Sequence, residues 1–286
     1  MDLSIIIVNY NKALILDRCL SSIYQNTKNL TFEVILIDNG SKDNSVELVK
    51  TKYKNIALIE NKINSGFAAA SNQGLKICKG RYALLLNNDT EIRNAALNKM
   101  VEFMDTGGDI GGLGPKLLNQ DLTVQREGSV LGKRFWNSNI PIEAGFITGA
   151  ALMVRRDVLD KIGLLDENFF FYNEDLDLCR RIKKAGFKLY FLPSAEIIHI
   201  GQKAKNIEMI YEGYRGGIYF CGKHYNKLIN ILYRFGVLTD ISLRIAYLSI
   251  ISIFYNAKET KNEIAQYNRV IGILGKKAKN MNLKNN

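Results

Sequence analysis

Cysteine and long apolar runs are both scarce in this chain, and each shortage removes a class of protein. The 286 residues hold 4 cysteines, Cys19, Cys78, Cys179 and Cys221. They lie far apart with no C-x-x-C spacing, so they read as ordinary reduced thiols rather than a disulfide framework. The most apolar late stretch, Leu243 to Tyr255, is shorter than the ~20 residues that span a bilayer, and Arg244 interrupts it. Leu3 to Val8 is too short for the core of a secretion signal and runs into Asn9-Tyr10-Asn11, so a cytoplasmic protein of bacterial type is expected. No G-x-G-x-x-G loop follows the first strand, which argues against a nicotinamide dinucleotide, and the P-loop pattern is missing too.

What is present supports a large core and an uneven charge. Apolar residues make up 47% of the chain, enough for one large or two small domains. Residues 201–286 hold 14 Lys and Arg against 5 Asp and Glu, whereas residues 1–200 hold 25 against 23. The basic excess therefore belongs to the tail. Its charges are interleaved with Leu, Ile, Phe and Tyr, which suits an anionic membrane surface better than nucleic acid. The stretches Leu228 to Phe235 and Ile241 to Tyr255 leave a second use open, packing on the core or against another copy as a homodimer.

Strand-like runs alternate with helical patterns: Leu3 to Val8, a helix near Leu14 to Gln25, Glu33 to Ile37, a helix near Asn44 to Lys52, then Ile56 to Ile59. A helix over Ala68 to Cys78 leads into the apolar run Ala83 to Leu86. This rhythm predicts an α/β fold with a Rossmann-like, mostly parallel central sheet flanked by helices. Residues 1–204 are expected to form that domain, with 1–105 as a nucleotide-binding half and 106–204 as an acceptor half. Residues 205–286 are expected to add a basic, amphipathic helical extension. Residues 106–142, rich in Gly and polar groups and holding the only Trp, Trp136, read as irregular loops. Beyond them, Gly145 to Val154 reads as a strand, Arg155 starts a helix ending near Gly163, and Lys188 to Phe191 and Ala195 to Ile200 read as two short strands.

Three strands end on polar residues at what should be one edge: Asn9-Tyr10-Asn11, Asp38-Asn39-Gly40-Ser41 and Asn87-Asn88-Asp89. In open α/β sheets ligands bind outside the carboxyl ends of the strands. There Asp38 either caps its turn or accepts a hydrogen bond from a base or ribose, and Tyr10 offers an aromatic face. Asp89 or Thr90 either caps a following helix or stands where a phosphate-bound metal is held. Asn64-Ser65-Gly66-Phe67 opens a helix of small residues that includes Asn72; its first N–H groups suit a phosphate, and tight packing on the sheet explains its alanines equally well.

The helix beginning at Glu174 is the most informative element. Stepping about 100° per residue, Leu178, Cys179, Ile182 and Ala185 form an apolar stripe with Asp175 in its middle. Asp177, Arg180, Arg181 and Lys184 point the other way, and Asp177 reads as a complement to the helix dipole. A carboxylate on the stripe needs a partner or a purpose, because leaving it unpaired costs several kcal/mol. His199 reads as a structural residue or a neutral imidazole ligand.

Taken together, these segments resemble the family 2 glycosyltransferases, in particular rhamnosyltransferase-like enzymes of bacterial surface polysaccharide synthesis. The resemblance runs from Ser4 to about Gly201. It rests on Ser4 to Asn11, Ile35 to Ser41, Asn64 to Phe67 with Asn72, Leu86 to Asp89, Gly149-Ala150 with Arg155-Arg156, and Leu165 to Phe170 leading into Glu174 to Arg181. It implies a GT-A fold, a nucleotide-diphosphate sugar donor such as dTDP-rhamnose or a UDP- or GDP-sugar, a Mg or Mn ion, and inversion at the anomeric carbon. With the basic tail, a saccharide acceptor, lipid-linked, and work at the inner face of the cell membrane are expected. By the same resemblance Tyr10 and Asp38 hold the base, Asp89 and His199 bind the metal, Asp175 is the catalytic base, and Glu174 positions the acceptor. Asn9, Asn11, Asn64, Gly66, Phe67, Asn72, Asn87, Asn88 and Gly149 complete the substrate-binding set. Where the family usually reads Asp-x-Asp, this chain reads Asn87-Asn88-Asp89, which leaves open a non-catalytic sugar-nucleotide or polysaccharide-binding subunit. An amide oxygen is still a hard ligand for Mg or Mn.

Overall fold

The structure, a computed structural model, describes residues 1–126, 135–201, 209–252 and 257–275. It begins as the sequence predicts, with β1 (Leu3–Asn9), α1 (Ala13–Asn26), β2 (Phe32–Asp38), α2 (Ser45–Lys52), β3 (Ala57–Glu60), α3 (Phe67–Ile77) and β4 (Tyr82–Asn87). In α1 the residues Leu16, Cys19, Leu20 and Ile23 are buried, the i, i+3, i+4, i+7 stripe of a helix lying on a sheet. Strands β3, β2, β1 and β4 run parallel in that spatial order. Helices cover both sheet faces, so Ile5 to Ile7 and Ala83 to Leu86 are buried without alternation.

A short strand β5 (Thr90–Ile92) follows β4, and α4 (Ala96–Met104) starts only after it. Asp89 and Thr90 therefore do not cap that helix. Next comes β6 (Ile110–Leu118), a nine-residue strand in a region expected to be loop. Its glycines hid it. A Cβ at Gly111 would lie 2.6 Å from Phe187 Cβ and one at Gly114 only 2.3 Å from Ile147 Cγ2, so close packing demands glycine where strand propensity disfavours it.

The sheet is completed by β7 (Ile142–Glu143), β8 (Ala151–Arg155) and β9 (Lys188–His199), with α5 (Arg156–Ile162) and α6 (Glu174–Lys184) packed between them in sequence. The strand expected over Gly145 to Val154 is shorter and starts at Ala151. The two strands expected on either side of Pro193-Ser194 are one: β9 continues through a bulge, where its register on β6 shifts between Pro115 and Lys116. A bulge is a position in a sheet that tolerates proline. All four cysteines are buried and unpaired.

The chain divides into two compact units, one of Met1–Glu167 with Asp175–Gly201, the other of Asn168–Glu174 with the described residues after Gly201. The second unit contains α7 (Met209–His224), α8 (Lys227–Ile251) and α9 (Ala257–Ile271). Its core gathers Ile218, Val237, Ile241, Tyr267, Val270 and Ile273. Within it, the buried Arg215 pairs with Glu212 at 2.5 Å and donates to the carbonyl of Asn168 at 3.3 Å. Helix α8 is apolar on its outside as well: Leu228, Leu232, Phe235, Leu243 and Ile250 are each more than 60% exposed. At about 100° per residue these fall on one side of the helix, while Lys227, Arg234, Asp240 and Arg244 fall on the other. The last part of the expected stretch Ile241 to Tyr255, residues 253–255, lies outside the described residues. No helix of the described residues is long and apolar enough to cross a membrane.

Candidate active site

The register of the parallel strands brings the three polar termini level. Asn9 pairs with Asp38, and Val8 with Asn87. A hydrogen-bond chain then runs across the edge: Asn88 Nδ2 donates to Asn9 Oδ1 at 2.7 Å, and Asn9 Nδ2 donates to Asp38 Oδ2 at 3.3 Å. Asp38 also accepts from the backbone N–H of Ser41 at 2.8 Å, so it does close its own turn. Asn11 joins through its N–H to Ser41 Oγ at 2.9 Å and its Oδ1 to the N–H of Lys42 at 2.6 Å. Tyr10, between them, is exposed.

Asn39 organises the adjoining loop. Its amide donates to Asn64 Oδ1 at 2.8 Å and to the carbonyl of Gly66 at 3.2 Å, and accepts from Asn61 and from Ser65. Asn64 in turn accepts from the N–H of Gly66 at 2.9 Å, which fixes the start of α3 at Phe67. Asn72 is spent inside the protein: it donates to the Leu165 carbonyl and Glu167, and accepts from the Leu165 N–H. These bonds tie α3 to residues 165–167, so Asn72 stands as a brace and not as an open ligand group.

Asp89 is 6% exposed. Its Oδ1 is buried with no hydrogen-bond partner, and His199 Nε2 lies 3.4 Å from it. Lys12 Nζ approaches Oδ2 at 3.5 Å. Burial pushes the Asp89 carboxyl upward, but His199, when it carries a proton on Nε2, and Lys12 outweigh it and hold the group below the usual carboxylate range. His199 arrives because Thr90 of β5 pairs with it across β9. Asn87 turns its Nδ2 to the same imidazole nitrogen at 3.4 Å. Among the described residues no group of three or more His, Cys, Asp and Glu is placed to hold a metal. The donor set nevertheless suits a hard divalent cation: a carboxylate oxygen with no hydrogen-bond partner lies 3.4 Å from an imidazole nitrogen, with the Asn87 side chain beside them.

Asp175 stands on the same edge. Strand β8 runs antiparallel beside β4, and the N–H of Asn87 donates to the carbonyl of Ala150 at 3.0 Å. The preceding residue, Gly149, donates its N–H to Asp175 Oδ2 at 2.8 Å. A Cβ at Gly149 would come 3.4 Å from that of Asp175, so the approach is close. The N–H of Leu176 holds the other oxygen at 2.8 Å. Burial pushes the Asp175 carboxyl above the usual range despite these two bonds. The carboxyl ends of β1, β2 and β4 and the amino end of β8 thus place Asp38, Asp89 and Asp175 along one rim. Glu174, one residue earlier, is buried and belongs to the second unit.

Asp177 differs from expectation. It is fully buried and pairs with Arg181 at 2.8 Å. Arg181 also donates to the carbonyls of Ile162, Gly163 and Leu164, so the end of α5 covers the flank that helical periodicity alone assigns to solvent. Two residues beside Asp89 and His199 escape sequence reasoning. Lys12 directly follows the first polar strand end, a signal of position only. Gln125, which contacts both Nδ1 and the carbonyl of His199, sits in the Gly-rich and polar stretch and gives no signal.

The fold is an α/β fold of the GT-A type, with a mostly parallel central sheet and C-terminal helices. Among solved structures, GalNAc-T7 with UDP, GalNAc and Mn2+ aligns over 94% of this chain and 54% of its own, at a TM-score of 0.63 and 18% identity. A Pyrobaculum calidifontis mannosyltransferase with GDP-Man and Mn2+ aligns over 95% and 86%, at 0.61 and 12%. The pattern of Glycosyl transferase family 2 matches residues 4–163, and the chain belongs to that family. It is 28% identical over 233 residues to the N-acetylglucosaminyl-diphospho-decaprenol L-rhamnosyltransferase of Mycobacterium tuberculosis, covering 69% of this chain and 75% of that one. The hexosyltransferase Agl10 of low-salt glycan biosynthesis in Haloferax volcanii is 24% identical over 217 residues, covering 69% and 67%.

Proposed function

We propose that this chain is an inverting glycosyltransferase that moves a sugar from a nucleotide-diphosphate donor, dTDP-rhamnose or a UDP- or GDP-sugar, to a lipid-linked saccharide in bacterial surface polysaccharide synthesis. The observation that carries this reading is the backbone link from Asn87 to Ala150 and from Gly149 to Asp175, which sets a candidate base on the rim that carries Asp89.

Asp175 takes the proton of the acceptor hydroxyl as that oxygen attacks the anomeric carbon, and the bond from that carbon to the diphosphate breaks on the opposite face. Its raised pKa makes the ionised carboxylate a stronger base, and the N–H groups of Gly149 and Leu176 fix its direction. Asp38 and Tyr10 hold the base of the donor. Asp89 and His199 would hold Mg or Mn. When bound, the cation supplies positive charge against the leaving diphosphate. Glu174 positions the acceptor.

The second unit is the membrane-facing part. The mycobacterial relative is named for an acceptor carried on decaprenol, and the uncharged outer side of α8 sits in a region with a large excess of Lys and Arg. Such a helix suits the headgroup region of an anionic leaflet, which supports a peripheral position on the inner face. Phosphatidylglycerol vesicles test this: Leu232→Gln with Phe235→Gln should release the protein, and so should salt. Vesicle binding undiminished by the double change would defeat the membrane role, and a vesicle-independent dimer lost on the same change would assign the face to a second copy.

Metal-dependent hydrolysis across a panel of nucleotide sugars tests the activity itself. Turnover of one donor, abolished by chelation, is expected. A protein that binds a nucleotide sugar without turning over any donor would be the non-catalytic subunit that the amides of Asn87 and Asn88 otherwise suggest.

A further inference from the structure

Gln125 reaches His199 from a tight turn. After β6 the chain reverses over Asn119 to Thr123, where the N–H of Asn119 donates to the Thr123 carbonyl at 2.8 Å and that of Leu122 to the Asn119 carbonyl at 2.9 Å. The returning strand bridges Val124 to Leu118, and the N–H of Gln125 donates to the Leu117 carbonyl at 2.9 Å. Leu117 and Leu118 pair with Ile197 and Ile198 of β9, so Gln125 comes back beside the end of that strand. Its side chain then makes two bonds to one residue: Nε2 donates to the His199 carbonyl at 2.6 Å, and Oε1 lies 3.0 Å from His199 Nδ1.

The chemistry of these two contacts fixes the imidazole. A carbonyl oxygen only accepts, so the amide nitrogen of Gln125 must face it and the amide oxygen must face Nδ1. An amide oxygen also only accepts, so Nδ1 must carry the proton. In the neutral ring Nε2 is then left with its lone pair. Nε2 lies 3.4 Å from Asp89 Oδ1, which has no hydrogen-bond partner. Asn87 meets the same nitrogen with its donor side. Without Gln125 the carboxylate of Asp89 would favour the opposite tautomer, Nε2–H, and the position between the two side chains would be filled by a proton.

We infer that Gln125 is a positioning residue: it locks neutral His199 as the Nδ1–H tautomer and keeps Nε2 turned to Asp89 as a cation ligand. This rests on the metal reading given above and adds a residue to it. Outer partners that set a ligand's tautomer commonly govern metal affinity by about 10–100-fold.

The test uses the full chain, free of any histidine tag and of metal, at a pH of about 8.5 where imidazole is neutral. Having only 2 histidines, the chain gives two imidazole patterns in two-bond 1H–15N spectra, and a His224→Gln variant assigns them. His199 is expected with its proton on Nδ1. Gln125→Leu should shift the pattern toward Nε2–H and weaken Mn2+ binding, read from free Mn2+ by electron paramagnetic resonance, about 10–100-fold. Gln125→Glu, which still accepts from Nδ1, should keep the wild-type tautomer and bind Mn2+ at least as well as Gln125→Leu does. A wild-type ring protonated on Nε2 overturns the inference, as does Gln125→Leu with tautomer and Mn2+ affinity unchanged. Wild-type protein that shows Nδ1–H and takes up no Mn2+ upholds the hold of Gln125 on the ring and overturns the metal reading instead.

Discussion

Asp89 and Asp175 stand on one rim of one sheet, yet their surroundings push them in opposite directions. Asp89 is buried, but the side chains of His199 and Lys12 hold its carboxyl low. Asp175 meets only backbone N–H groups of Gly149 and Leu176, and burial prevails, holding its carboxyl high. The downward shift suits the cation ligand proposed at Asp89. The upward shift suits the general base proposed at Asp175. One sheet edge thus gives two environments to the same residue type, one furnished by the side chains of Lys12 and His199 and the other by backbone N–H groups.

The division breaks first, and most visibly, at Asp175. Asp175→Asn should lower turnover at least ~10²-fold while donor affinity, measured by calorimetry, stays near wild type. Transfer at the wild-type rate would remove Asp175 from the chemistry. Asp89→Asn should show the other pattern, with Mn2+-dependent donor binding weakened at least ~10-fold and turnover falling with it. If the two variants lose binding and turnover in the same proportion, the carboxylates are not divided in role.

The smallest effect is a linkage between pH and stability. Because the folded-state pKa of Asp175 lies above its unfolded value, the stability contributed by Asp175 is lost as pH rises from about 3.8 through the raised value. Measured by thermal melts, the stability of Asp175→Asn relative to wild type should therefore improve over that window. The Asp89 contribution has the opposite sign: it is present above about 3.8 and lost as pH falls through the lowered value. A relative stability of Asp175→Asn that is flat from pH 4 to 7 would show that burial does not hold this carboxyl high.

The rim was readable in the sequence because β1, β2 and β4 are unbroken apolar runs that stop on Asn and Asp. Such runs belong to strands buried on both faces, and the residue after the last apolar one must lie at the edge. Asp175 was readable because a carboxylate in the apolar stripe of a helix contradicts burial unless it has a task. Strand β6 was not, since Gly111, Gly112 and Gly114 carry no side-chain signal and are dictated by Phe187, Leu189 and Ile147 across the packing. The burial of Asp177 was hidden for a related reason, because its cover comes from the end of α5 through Arg181. Gln125 depends on a turn whose destination is set by β6 and β9 together, so no local pattern could mark it.

The most direct measurement is the anomeric configuration of the first-formed transfer product, read by 1H nuclear magnetic resonance. A single displacement assisted by Asp175 yields a product of configuration opposite to that of the donor. Retention of the donor configuration would contradict it and would require another residue to act on the anomeric carbon.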